Sequence, residues 1–311
     1  MNDISHGTDC SVIIPTYNRR DLLVAAIASV QASTAPVREI IVVDDGSTDD
    51  TRSVVTGLAA DDARIQLVTQ ANQGANVARN SGADQAHGAW LAFLDSDDRW
   101  EPDKLRRQFQ ALGEMPGAVA SFTGIVAVDG ARELYRYDTP ATVSLHDIRL
   151  HNVLGSTSTV VVRKSAFEQA GGFDPSLPSC QDWDLWLRLR KLGDFAIVQD
   201  PLLLYNDGQH GRITGNSRLA ALGHQIIFDR IQQEDMSLRQ RLEVRASHLA
   251  IVARLHQRSG DRIKALKGFG RAFSLYPSLH NAVSLARSLR NAIGQQAGSG
   301  RGDSAADASA R

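Results

Sequence analysis

The chain is short of cysteine, of net charge and of long apolar runs, and each shortage removes a class of function. Its two cysteines, Cys10 and Cys180, lie far apart and lack metal-ligand spacing. Both therefore read as reduced, buried small residues rather than a disulfide or a zinc site. The formal net charge is −1, and that overall balance suggests no nucleic-acid footprint, so no nucleic-acid partner is expected. No apolar run approaches the roughly 20 residues that cross a bilayer. The first residues also lack the basic start and apolar core of a secretory leader. A cytoplasmic location is expected, compatible with peripheral contact at the inner face of a membrane. Missing too is a G-x-G-x-x-G after the first strand, which removes the dinucleotide-binding fingerprint.

What is present is an ordinary globular composition, 42% apolar and 22% charged over 311 residues. That length suits one large α/β domain, or one domain with an appendage. Ser11-Val-Ile-Ile-Pro15 reads as a strand, and the Thr16-Tyr17-Asn18-Arg19 loop leads into a helix from about Asp21 to Ala32. In a doubly wound sheet this loop is where a mononucleotide is held. Tyr17 can stack there and Arg19 can meet a phosphate.

A second β-branched strand, Glu39 to Val43, ends in Asp44 and Asp45. Ser47 or Thr48 is expected to cap the next helix, with Asp49 and Asp50 in its first turn. Asp44 and Asp45 precede that cap, so they are free to accept hydrogen bonds from a base or a ribose. A third strand begins near Arg64. After it, Gly74 permits close backbone approach at the start of a helix that carries Arg79, a residue able to reach a phosphate or a strand-end aspartate.

Trp90 to Leu94 is a fourth apolar run, and it stops at Asp95, Ser96, Asp97 and Asp98. Carboxylates this close repel one another. A hard divalent cation such as Mg²⁺ or Mn²⁺ relieves the conflict; a polar turn capping the helix near Glu101-Pro102 is the other reading. The order βαβαβαβ, with acids at two strand ends, points to a parallel sheet that binds a nucleotide.

Farther on, residues 123–150 read as irregular, and Ser156 to Val162 as strand. Cys180 to Arg190 reads as a helix with Asp182 at its N-terminus, where local sequence alone favours a cap, and Trp183 and Trp186 share one packing face. From about Ile213 to Ala292 the chain becomes a run of amphipathic, arginine-rich helices whose arginines read as a solvated face, with contact to anionic lipid as the other reading. Ala250 to Pro277 looks like a single tetratricopeptide-type hairpin. Residues 294–311 have the composition of a disordered tail.

The four segments Ser11 to Arg19, Ile41 to Asp49, Asn72 to Asn80 and Phe93 to Asp98 stand in the order and spacing of the family 2 glycosyltransferases. Residues 10 to about 212 carry the resemblance. It implies a GT-A nucleotide-diphospho-sugar transferase fold: an α/β domain over 10–212 with a mostly parallel, Rossmann-like central sheet flanked by helices. Residues 1–9 would then be a tail and 213–293 an α-helical extension. It further implies an inverting, metal-assisted transfer of sugar from a nucleotide-diphosphate sugar, often a UDP-sugar, to a saccharide or lipid-linked acceptor. Such reactions build glycans, polysaccharides or glycolipids of the cell envelope.

Carried over by position, Pro15, Thr16, Tyr17, Arg19, Asp44, Asp45, Gly74, Arg79, Asp95 and Ser96 would bind the donor. Asp97, with Asp98 beside it, would hold Mn²⁺ or Mg²⁺. Asp182 would be the general base. Gly172, Phe173, Asp174 and Trp183 match acceptor-side segments. Gln181 stands where members often have glutamate, and His210 where some close the donor site; for His210 a surface-loop role is expected. Two rivals remain at this level: a nucleotidyltransferase, which would need a glycine-rich basic loop after the first strand, and a non-catalytic nucleotide-sugar-binding scaffold.

Overall fold

The computed structural model describes residues 9–208 and 217–294. The expected tails fall almost wholly outside the described residues, as does His210. The chain divides into two compact units, Met1–Gly215 and Asn216–Arg311.

The first unit runs β1 (Cys10–Thr16), α1 (Arg20–Gln31), β2 (Glu39–Asp44), α2 (Thr51–Asp61), β3 (Ile65–Thr69), α3 (Ala75–Gln85), β4 (Trp90–Phe93) and β5 (Arg99–Trp100). It continues through α4 (Lys104–Glu114), β6 (Ala118–Asp129), β7 (Arg132–Tyr137), α5 (Leu145–Leu150), β8 (Val161–Arg163), α6 (Lys164–Gln169), α7 (Gln181–Arg190) and β9 (Asp194–Asn206). These strands form one sheet in the order β3-β2-β1-β4-β8-β6-β9-β5, with β7 paired to β6.

β1 and β2 are buried along their whole length. Their near-continuous β-branched runs are what a strand covered on both faces requires. The β3-β2-β1-β4 half is parallel. Beyond β4 the sheet turns mixed, because β8 pairs antiparallel to both β4 and β6. In register, the C-terminal ends of β1 and β2 coincide at Thr16 and Asp44, and both open on the same edge as the end of β4.

Close packing of α3 on this sheet depends on Gly82. A methyl there would come within 2.5 Å of Ile13 Cγ2 and 3.1 Å of Val43 Cγ2. Crowding of that kind would push the helix off the strands, and with it Arg79, one turn earlier.

Three local expectations are corrected by the structure. Neither Ser47 nor Thr48 caps α2: Ser47 Oγ accepts from Asn18 N and Thr48 N donates to Asn18 Oδ1. Asp49 Oδ1 takes the Thr51 N–H at the helix start instead. Residues 123–150 are largely regular, since β6 extends to Asp129 and returns through β7. Their polarity fits a hairpin whose β7 side faces solvent. The hydroxyl-rich Ser156 to Thr159 is a capped 3₁₀ turn rather than a strand, because Ser156 Oγ accepts from Ser158 N and competes with ladder formation.

The second unit is helical: α8 (Ser217–Gln232), α9 (Leu238–Arg258), α10 (Arg262–Leu275) and α11 (Leu279–Gly294). Ser237 and Gln240 form a reciprocal capping box at α9, and Asp261 caps α10. Ala246, Ala250 and Ala253 pack on Ala265, Phe269 and Ala272, so small side chains let α9 and α10 approach closely. Among the described residues no helix is long and apolar enough to cross a membrane.

Candidate active site

The ends of β1, β2 and β4, the start of α3, the 3₁₀ turn and the start of α7 surround a cavity of about 310 Å³. That is within the range of small-molecule sites. Of the sequence-predicted residues, Pro15, Thr16, Tyr17, Arg19, Asp45, Arg79, Asp95, Ser96, Asp97, Asp98 and Asp182 all line it. Residues that lie as many as 167 positions apart (Pro15 and Asp182) thus share one wall.

Its electrostatics pair each cation with a carboxylate. Arg79 Nη2 donates to Asp95 Oδ1 at 2.5 Å, and Arg19 Nη1 donates to Asp97 Oδ2. Thr157 Oγ1 donates to Asp95 Oδ2 at 3.0 Å. No hydrogen bond reaches Asp97 Oδ1 among the described residues. Asp98 behaves differently. Its Oδ2 accepts from Ser158 Oγ at 2.7 Å and its Oδ1 from Asn206 N at 3.1 Å, so it ties β4, the 3₁₀ turn and β9 together. Burial first, then the Asp95 and Asp97 charges, hold the Asp98 carboxyl well above the ordinary carboxylate range.

The donor set fits a hard divalent cation: carboxylate oxygens on adjacent residues, one of them unused, facing a cavity. Among the described residues no three His, Cys, Asp or Glu side chains cluster so as to hold an ion by themselves. A Mg²⁺ or Mn²⁺ site built from one or two carboxylates and completed by substrate phosphates has that character. Asp97 can supply it; Asp98 is buried, with each oxygen already accepting one bond inside the protein, and is the less accessible of the two.

Across the cavity, Cys180 precedes α7 in the left-handed region, φ +61°. That turn carries Gln181 and Asp182 into the first helical turn with the Asp182 carboxylate at the pocket. Asp182 Oδ1 accepts from Trp183 N at 2.8 Å and Oδ2 from Asn152 Nδ2 at 2.9 Å. Desolvation pushes its carboxyl up to about 6, against the opposing pull of the Trp183 N–H and Arg79. A carboxylate tuned there is ionised at neutral pH yet basic enough to take a proton. Burial, with the Asp182 charge, pushes the Cys180 thiol up to about 11, which disfavours the thiolate.

Other predicted residues lie behind the wall. Asp44 is fully buried and accepts from Ser47 N and Arg52 Nε. Gly74 N, with Gln73 N and Gln70 Nε2, donates to Asp45, which thereby shapes the loop into α3. Phe173 is buried against Phe93 and Phe167, with the Arg79 guanidinium over its ring. Asn80 clamps the Phe173 backbone on both sides, Asp174 closes a turn at Ser176, and Trp183 Nε1 donates to Ile148 O from the core. None of Gly172, Phe173, Asp174 or Trp183 lines the cavity; they fix α3 and α7 relative to it. Sequence reasoning missed Asn152, Thr157 and Ser158, which contact the acidic residues. Four consecutive hydroxyl residues at 156–159 were the available signal; Asn152 gave none.

Comparison with known proteins agrees with this architecture. A profile of glycosyl transferase family 2 matches residues 11–171, more than half of the chain. The putative teichuronic acid biosynthesis glycosyltransferase TuaG of Bacillus subtilis is 34% identical over 227 residues, spanning 72% of this chain and 88% of that protein. The GalNAc(5)-diNAcBac-PP-undecaprenol beta-1,3-glucosyltransferase of Campylobacter jejuni is 51% identical over 106 residues, a third of each chain (33% and 34%). The chain is a glycosyltransferase and belongs to family 2.

Among solved structures, S. aureus TarS 1-349 aligns with TM-score 0.66 at 17% identity, covering 94% of this chain and 92% of that one. The mannosyltransferase PcManGT from Pyrobaculum calidifontis, solved with GDP-Man and Mn²⁺, aligns with TM-score 0.64 at 19% identity, covering 94% and 83%. At such identities the likeness speaks for the fold, which is the GT-A fold with helices appended at the C-terminus.

Proposed function

We propose that this glycosyltransferase moves a sugar from a nucleotide-diphosphate sugar, with UDP as the favoured nucleotide, to a hydroxyl of a saccharide or lipid-linked acceptor, inverting the anomeric centre. The observation that carries this reading is the convergence on one cavity of the Asp95–Asp97 pair, two arginines and Asp182. Support also comes from the TarS structure described as a complex with UDP-GlcNAc, from the Mn²⁺ and GDP-Man of PcManGT, and from the undecaprenol-linked name of the Campylobacter relative.

In this reading Pro15, Thr16, Tyr17 and Asp45 hold the nucleoside, and Arg79 braces Asp95 near the ribose. Thr16 Oγ1 and Arg79 Nε are buried without a partner among the described residues, and a bound donor would satisfy such groups. Asp97 would hold Mn²⁺ or Mg²⁺, which when bound supplies Lewis-acid neutralisation of the diphosphate charge. Asp182 takes the proton of the acceptor hydroxyl as its oxygen bonds to the anomeric carbon. The bond from that carbon to the diphosphate oxygen breaks on the opposite face, so configuration inverts. A positioned base of this kind contributes about 10²–10⁴-fold.

The test is a thermal-shift panel of nucleotide sugars with Mn²⁺, followed by nucleotide release. A ligand at about 100 times its Kd adds about 2.7 kcal/mol of stability, a shift readily seen. A donor that both stabilises the protein and is slowly hydrolysed supports the reading. Failure of every nucleotide sugar to shift the transition removes it.

A further inference from the structure

Charge is segregated in this chain. Residues 217–294 hold thirteen Lys and Arg against five Asp and Glu, a net of +8 in a chain whose total is −1. The segregation sharpens toward the end: from Arg262 to Gly294, across α10 and α11, there is no Asp or Glu. On α10 the buried side is Ala265, Phe269 and Ala272, while Arg262, Ile263, Lys264, Lys267 and Arg271 face solvent. On α11 the exposed side carries Leu279, Val283, Arg287, Leu289 and Arg290.

Lys264 pairs with Asp261. Arg262, Lys267, Arg271, Arg287 and Arg290 form no ion pair among the described residues. Interleaved with them, Ile263 is 70% exposed and Leu279 is 82% exposed. Large aliphatic side chains left in water beside unpaired cations mark an interaction surface.

We propose that the outward sides of α10 and α11 form a docking surface for an anionic lipid bilayer. Charge complementarity selects the occupant: Lys and Arg meet acidic headgroups, and the aliphatic side chains enter the boundary of the acyl region. A nucleic-acid surface would need stacking platforms, whereas the exposed large apolar residues of these helices are all aliphatic. This inference stands apart from the donor chemistry and does not depend on it.

The experiment is flotation of the full chain with vesicles of phosphatidylcholine and with vesicles enriched in phosphatidylglycerol, at low and high salt. The chain is expected to float with the anionic vesicles, more weakly at high salt. The pair Lys267→Gln and Arg271→Gln should weaken this roughly 30-fold, about fivefold per cation. Ile263→Ser with Leu279→Ser should remove the part of binding that survives high salt. All four sites are exposed, so unchanged melting and unchanged nucleotide-sugar hydrolysis are expected in both variants. Equal binding to both vesicle types, unaltered flotation of the charge variant, or tighter binding to single-stranded RNA than to anionic vesicles would each overturn the proposal.

Discussion

Asn152 Nδ2 donates to Asp182 Oδ2 at 2.9 Å, and the same amide is locked in place by its own loop. Asn152 Oδ1 accepts from Leu154 N, and Nδ2 also donates to Gly155 O. The amide orientation is therefore set before any substrate arrives, and the carboxylate is held facing the cavity.

Activity should fall as pH drops below about 6, where Asp182 takes up a proton and can no longer act as base. Asn152→Ala removes a donor from the charged form, a bond worth about 1.5–3 kcal/mol. The acid limb of kcat/KM should then move upward by about one to two pH units, with kcat reduced and the donor KM unchanged. An unmoved limb, or a loss confined to KM, would show that Asn152 does not act through Asp182.

Asp97→Ala should abolish the Mn²⁺-dependent part of nucleotide affinity and leave the Mn²⁺-independent part. Titration calorimetry with and without Mn²⁺ measures both. The same affinity in wild type and variant, with metal present, would return the acidic cluster to a structural turn.

Lys104 makes a separate prediction about stability. It is fully buried, with its ammonium over the Trp100 ring and donating to Gln108. Desolvation lowers its pKa to about 7. The folded pKa lies below the unfolded one, so the unfolded chain binds the extra proton between them, and stability rises with pH in that window. Buried Cys10, raised to about 12, offsets this slope only once the unfolded thiol ionises near pH 9. Between pH 7 and 9 unfolding free energy should climb by up to about 1.4 kcal/mol per pH unit, and Lys104→Met should flatten the rise. A flat wild-type profile would contradict this.

Much of the site was legible because its residues sit where strands end. Asp45, Asp95 and Asp97 each follow a buried apolar run, and such ends gather on one edge of an α/β sheet. Asp44 illustrates the limit: alternation within a strand decides which of two adjacent acids faces the cavity, and Asp44 turns inward to Ser47 and Arg52. Asn152 and Thr157 were illegible for another reason. They reach the carboxylates from irregular segments whose path is set by tertiary contacts such as Ser158 to Asp98, not by periodicity. The mixed half of the sheet was obscured likewise, since pairing of β8 with both β4 and β6 is a long-range choice.

The most direct test of the whole account is Asp182→Asn, with binding and turnover measured on the same preparation. The substitution keeps shape and can keep the bond from Asn152 Nδ2 while losing the one from Trp183 N, so the chain should stay folded and nucleotide-sugar affinity should match wild type. Transfer should fall by at least about 10²-fold. Turnover within a few-fold of wild type would contradict the assignment of the base and, with it, the chemistry proposed for this pocket.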